Sequence, residues 1–278
     1  MKSALRTLGL FALFALSGVA DAGPLSARAT PGVRSYVYTA RETVNGQLKF
    51  IYRMRFDLAT GADGGVEAVV RRAEQSDDAV TWTPASVNDA CRIAMHAPPG
   101  GLARVRLWPL AEDASEQLGA RFLDTCAPGP VFFPLTDILN VAVIRLSPRF
   151  RVRELRRPGD HLHYGGFAVA YNRAGEAMAE TSHGGEVSFA TRSKTEAAID
   201  WVTAPADLSL TTQTTGRPLT LTGTERWAFH VAFDARSGAL LEAHTTYDDL
   251  DLIAHIPGVP EDKAPPVKIS REVRIAPG

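Results

Sequence analysis

Two histidines one residue apart, His161 and His163, are the clearest candidates for chemistry in this chain. Alternate residues of an extended strand point to the same side, which places the two imidazoles about 6–7 Å apart. Imidazole nitrogens bind Zn²⁺ and Cu²⁺, and His183 or Glu180 could complete a ligand set. We therefore expect a zinc or copper site here or, as the simpler alternative, two polar residues on a half-exposed strand.

A second histidine pair depends on a hairpin. If the chain turns at residues 234–238, His230 and His244 lie nearly opposite each other on neighbouring strands. Cross-strand neighbours come within about 5 Å at Cβ. The pair would then share a metal ion or titrate together, or it would be an ordinary polar pair on a half-exposed sheet.

Common catalytic motifs are missing from the sequence. It has no Gly-x-Ser-x-Gly, no His-Glu-x-x-His, no phosphate-binding Gly-Lys-Ser/Thr and no Ser-x-x-Lys. No cofactor is expected other than Zn²⁺ or Cu²⁺. Three functions stay open: a non-catalytic binding protein, a metal-binding protein that uses His161 and His163, and a hydrolase whose catalytic residues are dispersed along the chain.

The amino terminus has the three-part pattern of a secretory signal peptide. Lys2 and Arg6 are followed by an apolar run at residues 8–16 and by Ala-Asp-Ala at residues 20–22. The run is shorter than the roughly 20 residues that span a bilayer, although a retained anchor is the alternative. We expect cleavage after residue 22, a single domain at residues 23–278, and a periplasmic or secreted protein.

The composition favours a protein without a nucleic-acid partner. The 30 basic and 31 acidic residues nearly balance, with a net charge of −1, so no global field attracts polyanions. No second apolar stretch approaches transmembrane length, and we expect no integral membrane segment after cleavage. Basic charge comes mostly from arginine, which indicates a GC-rich and hence bacterial gene.

The chain has only two cysteines, Cys91 and Cys126. In an oxidising compartment two thiols are most simply paired. A bridge that closes a loop of roughly 35 residues contributes about 3–4 kcal/mol under the chain-entropy model. Free buried thiols are the alternative, and no neighbouring base points to catalysis.

Turn and strand signals predict a mainly β (α+β) protein, with a curved antiparallel sheet or half-barrel built of hairpins. Residues 36–44 and 47–57 flank Asn45-Gly46, a strong hairpin signal, and residues 66–72 complete a meander. The even residues of the second strand share one face: Phe50, Tyr52, Met54 and Phe56. Similar turns at residues 171–175 and 234–238 predict two more hairpins. Residues 267–275 are predicted to form a final strand.

The middle of the chain predicts a helical insertion at about residues 85–147, held by the disulfide. Residues 86–89 resemble a capped helix start, and five residues before the stop at Pro98-Pro99 fall near one helical face: Val87, Ala90, Cys91, Ala94 and Met95. Residues 112–123 predict a second short helix. Residues 136–146 fit either a helix or a buried strand.

Two turn motifs carry a family resemblance. Pro-Gly-Asp at residues 158–160 and Phe-Asp-x-x-Ser-Gly-x-Leu-Leu at residues 233–241 resemble those of bacterial envelope families of unknown function. Some of these families are similar to lipoprotein-carrier half-barrels. The resemblance covers residues 155–250 and implies a curved antiparallel sheet that cups an apolar ligand against helices. This chain differs from these families in two ways. It has an insertion held by a disulfide, and it has His163 at a position after the Gly-Asp turn where an aromatic residue is common.

These observations together predict an exported bacterial envelope protein that binds a ligand or partner through its sheet. Its partner would be an apolar small molecule, a lipid or another envelope protein. An apolar concavity is expected to include Tyr52, Met54, Phe229 and Val231.

Overall fold

The described part of the computed structural model consists almost entirely of β-strands. The structure describes residues 31–61, 66–85, 92–96, 104–108, 137–138, 141, 152–173, 176–214 and 217–278. The predicted signal peptide at residues 1–22 lies outside them, as do Cys91 and Cys126. Cleavage and the disulfide therefore stay predictions.

The first hairpin forms where the sequence predicts it. Strands β1 (Gly32–Val44) and β2 (Gln47–Thr60) are antiparallel, and Asn45-Gly46 makes the two-residue turn between them. Both turn residues have positive φ, 50° for Asn45 and 77° for Gly46, as a type I′ turn requires. Because both residue types tolerate this region, the turn sets the register of the hairpin at little steric cost.

Four further strands continue from this hairpin. β3 (Val66–Ser76) pairs with β2 and confirms the predicted meander. β4 (Thr83–Pro84) and β5 (Arg92–His96) both pair with β3, and β6 (Arg104–Trp108) pairs with β5.

The described residues of the second half contribute nine more antiparallel strands, and they confirm the two hairpins and the final strand that the sequence predicts there. The strands are β7 (His161–Tyr164), β8 (Phe167–Arg173), β9 (Glu176–Ser182), β10 (Gly185–Arg192), β11 (Glu196–Thr203), β12 (Ala206–Thr214), β13 (Arg217–Asp234), β14 (Leu240–His255) and β15 (Pro266–Pro277). Short 3₁₀ helices at Val152–Glu154 and Glu261–Lys263 precede β7 and β15.

All fifteen strands belong to one sheet that forks at β13. The main order is β6-β5-β3-β2-β1-β15-β14-β13-β11-β10-β7. The second half of β13 pairs with β11, whereas its first half pairs with β12, which leads to β9 and β8. β13 can do both because it is 18 residues long.

One face of the sheet forms the core, and the other is polar. Eight cross-strand neighbours form a row in which every side chain is at most 5% exposed: Phe189, Ile199, Val231, Ala243, Ile275, Tyr38, Met54 and Ala73. Their sequence neighbours form the matching row on the other face: Ser188, Asp200, His230, His244, Arg274, Thr39, Arg53 and Glu74. Burying each large apolar side chain contributes about 1.5–3 kcal/mol, so this alternation decides which way the sheet faces.

The structure does not support the helical insertion. Residues 92–96, expected to lie in its first helix, form β5, where Ile93 stands in register with Ala68 of β3. Over so short a run, apolar residues fit a period of two as well as a helical period. Asp137, Ile138 and Val141 are helical, but the helix expected at residues 112–123 lies outside the described residues. None of the described helical segments is long and apolar enough to span a membrane.

Candidate functional site

Strand β15 carries a charged residue on the apolar face of the sheet. Five alternate residues of the strand share that face: Val267, Ile269, Arg271, Val273 and Ile275. Arg271 Nη2 donates hydrogen bonds to Asp137 Oδ2 at 2.8 Å and to Tyr38 Oη at 2.7 Å. Tyr38 Oη donates to the same Asp137 oxygen at 2.8 Å. A buried polar group on an apolar face is an informative observation, and this cluster is the starting point for the candidate site.

Two more polar residues extend the cluster along the sheet. Glu42 stands opposite Arg271 on the neighbouring strand. Tyr52 on β2 stands opposite Ala40, diagonal to Glu42, and the Glu42 charge acts on its phenol. We call Tyr38, Glu42, Tyr52, Asp137 and Arg271 the polar belt. The polar belt lies between the apolar core and a second apolar cluster on the same face of the sheet.

Burial controls the protonation of the polar belt. It raises the pKa of Tyr38 well above the ordinary value, and the Asp137 carboxylate raises it further while Arg271 opposes the shift. Burial also raises the pKa of Glu42, against the positive charges of Arg271 and Lys49. Burial, with a smaller contribution from Glu42, raises the pKa of Tyr52 to about 12. The tyrosines of the belt are therefore neutral hydrogen-bonding groups at neutral pH.

Beyond the belt lies a second apolar cluster that is only partly covered. Leu208, Leu221, Leu252 and Ala254 are buried there, and half-buried side chains pack against them. Val44 stands beside Ile269, and the rings of Phe50 and Tyr52 are 4.7 Å apart. We call the half-buried residues of this region the apolar strip: Val44, Phe50, Leu210, Leu219, Val267 and Ile269.

The four residues predicted for an apolar concavity do share one face. Met54 and Phe229 are each 2% exposed and Val231 is 0% exposed, so their part of the face is closed to solvent. Trp201 stacks on Phe229 with ring centroids 4.8 Å apart. Tyr52 alone of the four is half-buried, at the end where the polar belt and the apolar strip meet.

His161 and His163 lie together on the polar face, as the sequence predicts, but a different residue joins them. Their ring centroids are 6.1 Å apart, and His163 Nε2 is 3.8 Å from Glu186 Oε2 on β10. The expected third ligand, His183, instead contacts Asp207 Oδ2 at 3.2 Å. Glu180 stands in register with Leu208, on a different branch of the sheet.

His230 and His244 are directly opposite each other on β13 and β14, which confirms the predicted placement. Each is held by its own carboxylate. His230 Nδ1 is 2.6 Å from Asp200 Oδ1, and His244 Nε2 is 3.1 Å from Glu272 Oε1. The arrangement is a pair of separate histidine–carboxylate contacts on the polar face.

The hydrolase alternative could use a pair of carboxylates or a Ser-His-Asp arrangement, and the latter requires one histidine to contact both a carboxylate and a hydroxyl nucleophile. Among the described residues, His230 contacts the carboxylate of Asp200, and His255 Nε2 lies 2.6 Å from Thr222 Oγ1. No histidine whose side chain the structure describes has both partners. This alternative stays a prediction without a located site.

The sequence reasoning missed the Arg271–Asp137–Tyr38 cluster. One signal was available, because Arg271 interrupts an otherwise apolar set of alternate residues in β15. Its partner could not be found in this way, since Asp137 is 134 residues away along the chain.

Comparison with known proteins gives only distant likenesses. No protein-family model matches the sequence, and no curated protein is recognisably similar to it. An outer membrane lipoprotein-sorting protein domain from Vibrio parahaemolyticus is 11% identical over 88% of this chain and 83% of that one, with a TM-score of 0.24. A LolA superfamily protein from Nitrosomonas europaea is 9% identical over 91% and 88%, with a TM-score of 0.26.

An exported protein with a YmcC-like fold from Bacteroides fragilis is 12% identical over 89% of this chain and 97% of that one, with a TM-score of 0.26. The structures found thus include a lipoprotein-sorting protein domain and a LolA superfamily protein. TM-scores this low do not assign the chain to a family. Its function has to be argued from its own residues.

Proposed function

We propose that this is a non-catalytic, exported bacterial envelope protein that binds an apolar ligand, such as a lipid chain, along the apolar strip. Glu42 and Tyr52, the half-buried residues at the edge of the polar belt, would receive the polar end of that ligand. The proposal rests on one observation above all: the half-covered apolar side chains of the strip are continuous with a buried polar cluster on the same face.

The dimensions of the strip suit an elongated ligand. Its residues lie on β2, β1, β15, β13 and β12, with Leu252 and Ala254 of β14 between them. Six neighbouring strands spaced by about 4.8 Å give an apolar path of about 24 Å. Small-molecule sites are mostly apolar with a few polar groups that fix orientation, and the strip and belt offer this combination.

Export is supported by the amino-terminal pattern of residues 1–22 and by the two cysteines, which suit an oxidising compartment. A periplasmic or secreted location therefore forms part of the proposal. It also fits a ligand that has to be carried or held outside the cytoplasm.

A binding assay with a fluorescent long-chain fatty acid tests the proposal on the mature protein. Phe50→Gln removes an apolar contact of the strip and is expected to weaken binding about tenfold or more, since burying such a side chain is worth about 1.5–3 kcal/mol. Ile51→Gln is the matched control, because Ile51 is also half-buried but faces the other side of β2. Equal loss in both variants, or no saturable binding to the wild type, would contradict a ligand site on the strip.

Native mass spectrometry of the protein purified from its own host gives an independent check. A co-purifying lipid or apolar small molecule that is lost in Phe50→Gln supports the proposal. A co-purifying envelope protein that is lost in the same variant would instead identify the strip as a protein interface and overturn the small-ligand proposal.

A further inference from the structure

We propose that His161, His163 and Glu186 bind a single Zn²⁺ or Cu²⁺ ion at the edge of the sheet. One donor atom from each residue lies within 4.8 Å of the other two. Ligands at about 2.1 Å from a tetrahedral ion are about 3.4 Å apart. All three side chains are at least partly exposed, so modest side-chain rotations bring their donors to that spacing.

Strand pairing explains why these three residues meet. His163 and Glu186 are directly opposite each other on β7 and β10, and His161 is opposite Ser188. Leu162 and Tyr164 turn to the covered side, so both imidazoles point away from it. A site that needs two strands is thus set by the register between them.

The backbone that carries the histidines is fixed at both ends. On one side, Asp160 Oδ2 accepts hydrogen bonds from the backbone N–H groups of Arg156 and Arg157 at 2.8 and 3.0 Å. On the other side, the buried Trp201 Nε1 donates to Tyr164 Oη at 2.7 Å. Binding an ion therefore requires ordering of side chains only, which favours affinity.

The donor set points to a late first-row divalent ion. Two imidazoles and one carboxylate are a ligand set that holds zinc with a water molecule in the fourth position, and Cu²⁺ binds such nitrogen-rich sets more tightly still. The carboxylate also supplies a negative charge that offsets the charge of the ion. Because this site lies on the polar face, it is independent of the apolar strip.

Isothermal titration of the tag-free mature protein with ZnCl₂ tests the site. We expect one ion per chain in the wild type. Binding should be at least tenfold weaker in His161→Ala, His163→Ala and Glu186→Gln, and it should be lost in the double variant that combines His161→Ala with His163→Ala. His183→Ala is the matched control, since His183 is also exposed but contacts Asp207 on β12 and not the three proposed ligands. It should bind zinc as the wild type does.

Electron paramagnetic resonance with Cu²⁺ identifies the ligands without relying on a loss of binding. The wild type should show hyperfine coupling to two imidazole nitrogens, and each single histidine variant to one. A dissociation constant above about 1 mM for both ions, or unchanged binding in the double variant, would overturn the proposal. The thermal midpoint should rise with ZnCl₂ in the wild type and stay constant in the double variant.

Discussion

Arg271 and Asp137 form an ion pair on the apolar face of the sheet, with 2.8 Å between Nη2 and Oδ2. The side chains are only 10% and 2% exposed. The pair joins β15 to a helical residue 134 positions earlier in the chain, so it fastens that part of the chain to the sheet.

We expect Asp137→Ala to lower the free energy of unfolding by about 3–5 kcal/mol, because it removes the carboxylate that accepts hydrogen bonds from both the buried Arg271 guanidinium and the buried Tyr38 hydroxyl. Urea denaturation monitored by tryptophan fluorescence measures the change. Glu242→Ala is the control: its contact with Arg274, also on β15, is exposed at 3.8 Å and should matter by less than about 1 kcal/mol. Equal effects of the two substitutions would show that the buried pair does not fasten the chain.

Thr245→Val should stabilise the protein by about 1 kcal/mol. Thr245 is 1% exposed and its Oγ1 has no hydrogen-bond partner among the described residues, so the hydroxyl loses its solvation on folding without compensation from them. Thr203→Val should have the opposite effect, because the equally buried Thr203 Oγ1 accepts from the backbone N–H of Trp227 at 3.0 Å. Thermal denaturation of both variants checks the contrast, and a destabilised Thr245→Val would show that its hydroxyl is satisfied.

The stability of the protein should fall at alkaline pH in a way that depends on Tyr52. Its folded pKa of about 12 lies above the ordinary value of 10.0, because burial disfavours the phenolate. The unfolded phenol therefore releases its proton first, and the free energy of unfolding falls as pH rises from 10 to 12. Tyr52→Phe should make this fall shallower in urea titrations at fixed pH values, and an unchanged slope would contradict the assignment.

Gly185→Ala should disturb the contact between β7, β10 and β11. A Cβ at this position would collide with the carbonyl oxygen of Val202 and with Tyr164 Oη, the group that holds Trp201. Gly165→Ala is the matched control, because no atom of the described residues lies within 4 Å of its Cβ position. Near-ultraviolet circular dichroism should report an altered Trp201 environment only in Gly185→Ala, and identical spectra for both variants would refute the collision.

The exported protein should begin at Gly23 and contain a bond between Cys91 and Cys126. Intact mass after secretion should match residues 23–278, lighter by the two thiol hydrogens. Reduction should lower the free energy of unfolding by about 3–4 kcal/mol. A chain that starts at Met1 with both thiols open to alkylation would contradict both expectations.

Local features of the fold were predictable because they depend on a few neighbouring residues. Asn45-Gly46 specifies its turn through the φ angles that these residues accept, and alternation placed Met54 on the buried face. The same reasoning was wrong for residues 92–96, where a short apolar pattern fits two periods and pairing with β3 decides for a strand.

The sequence alone determined that His161 and His163 share a side and that His230 and His244 face each other, because strand alternation and a single turn are local. Only the tertiary structure placed Glu186 beside the first pair and Asp137 beside Arg271. Which distant residues meet depends on the register between strands and on how the fork at β13 directs them. Strand register is set by the burial of apolar side chains over the whole sheet, so it cannot be derived from a short stretch of the sequence.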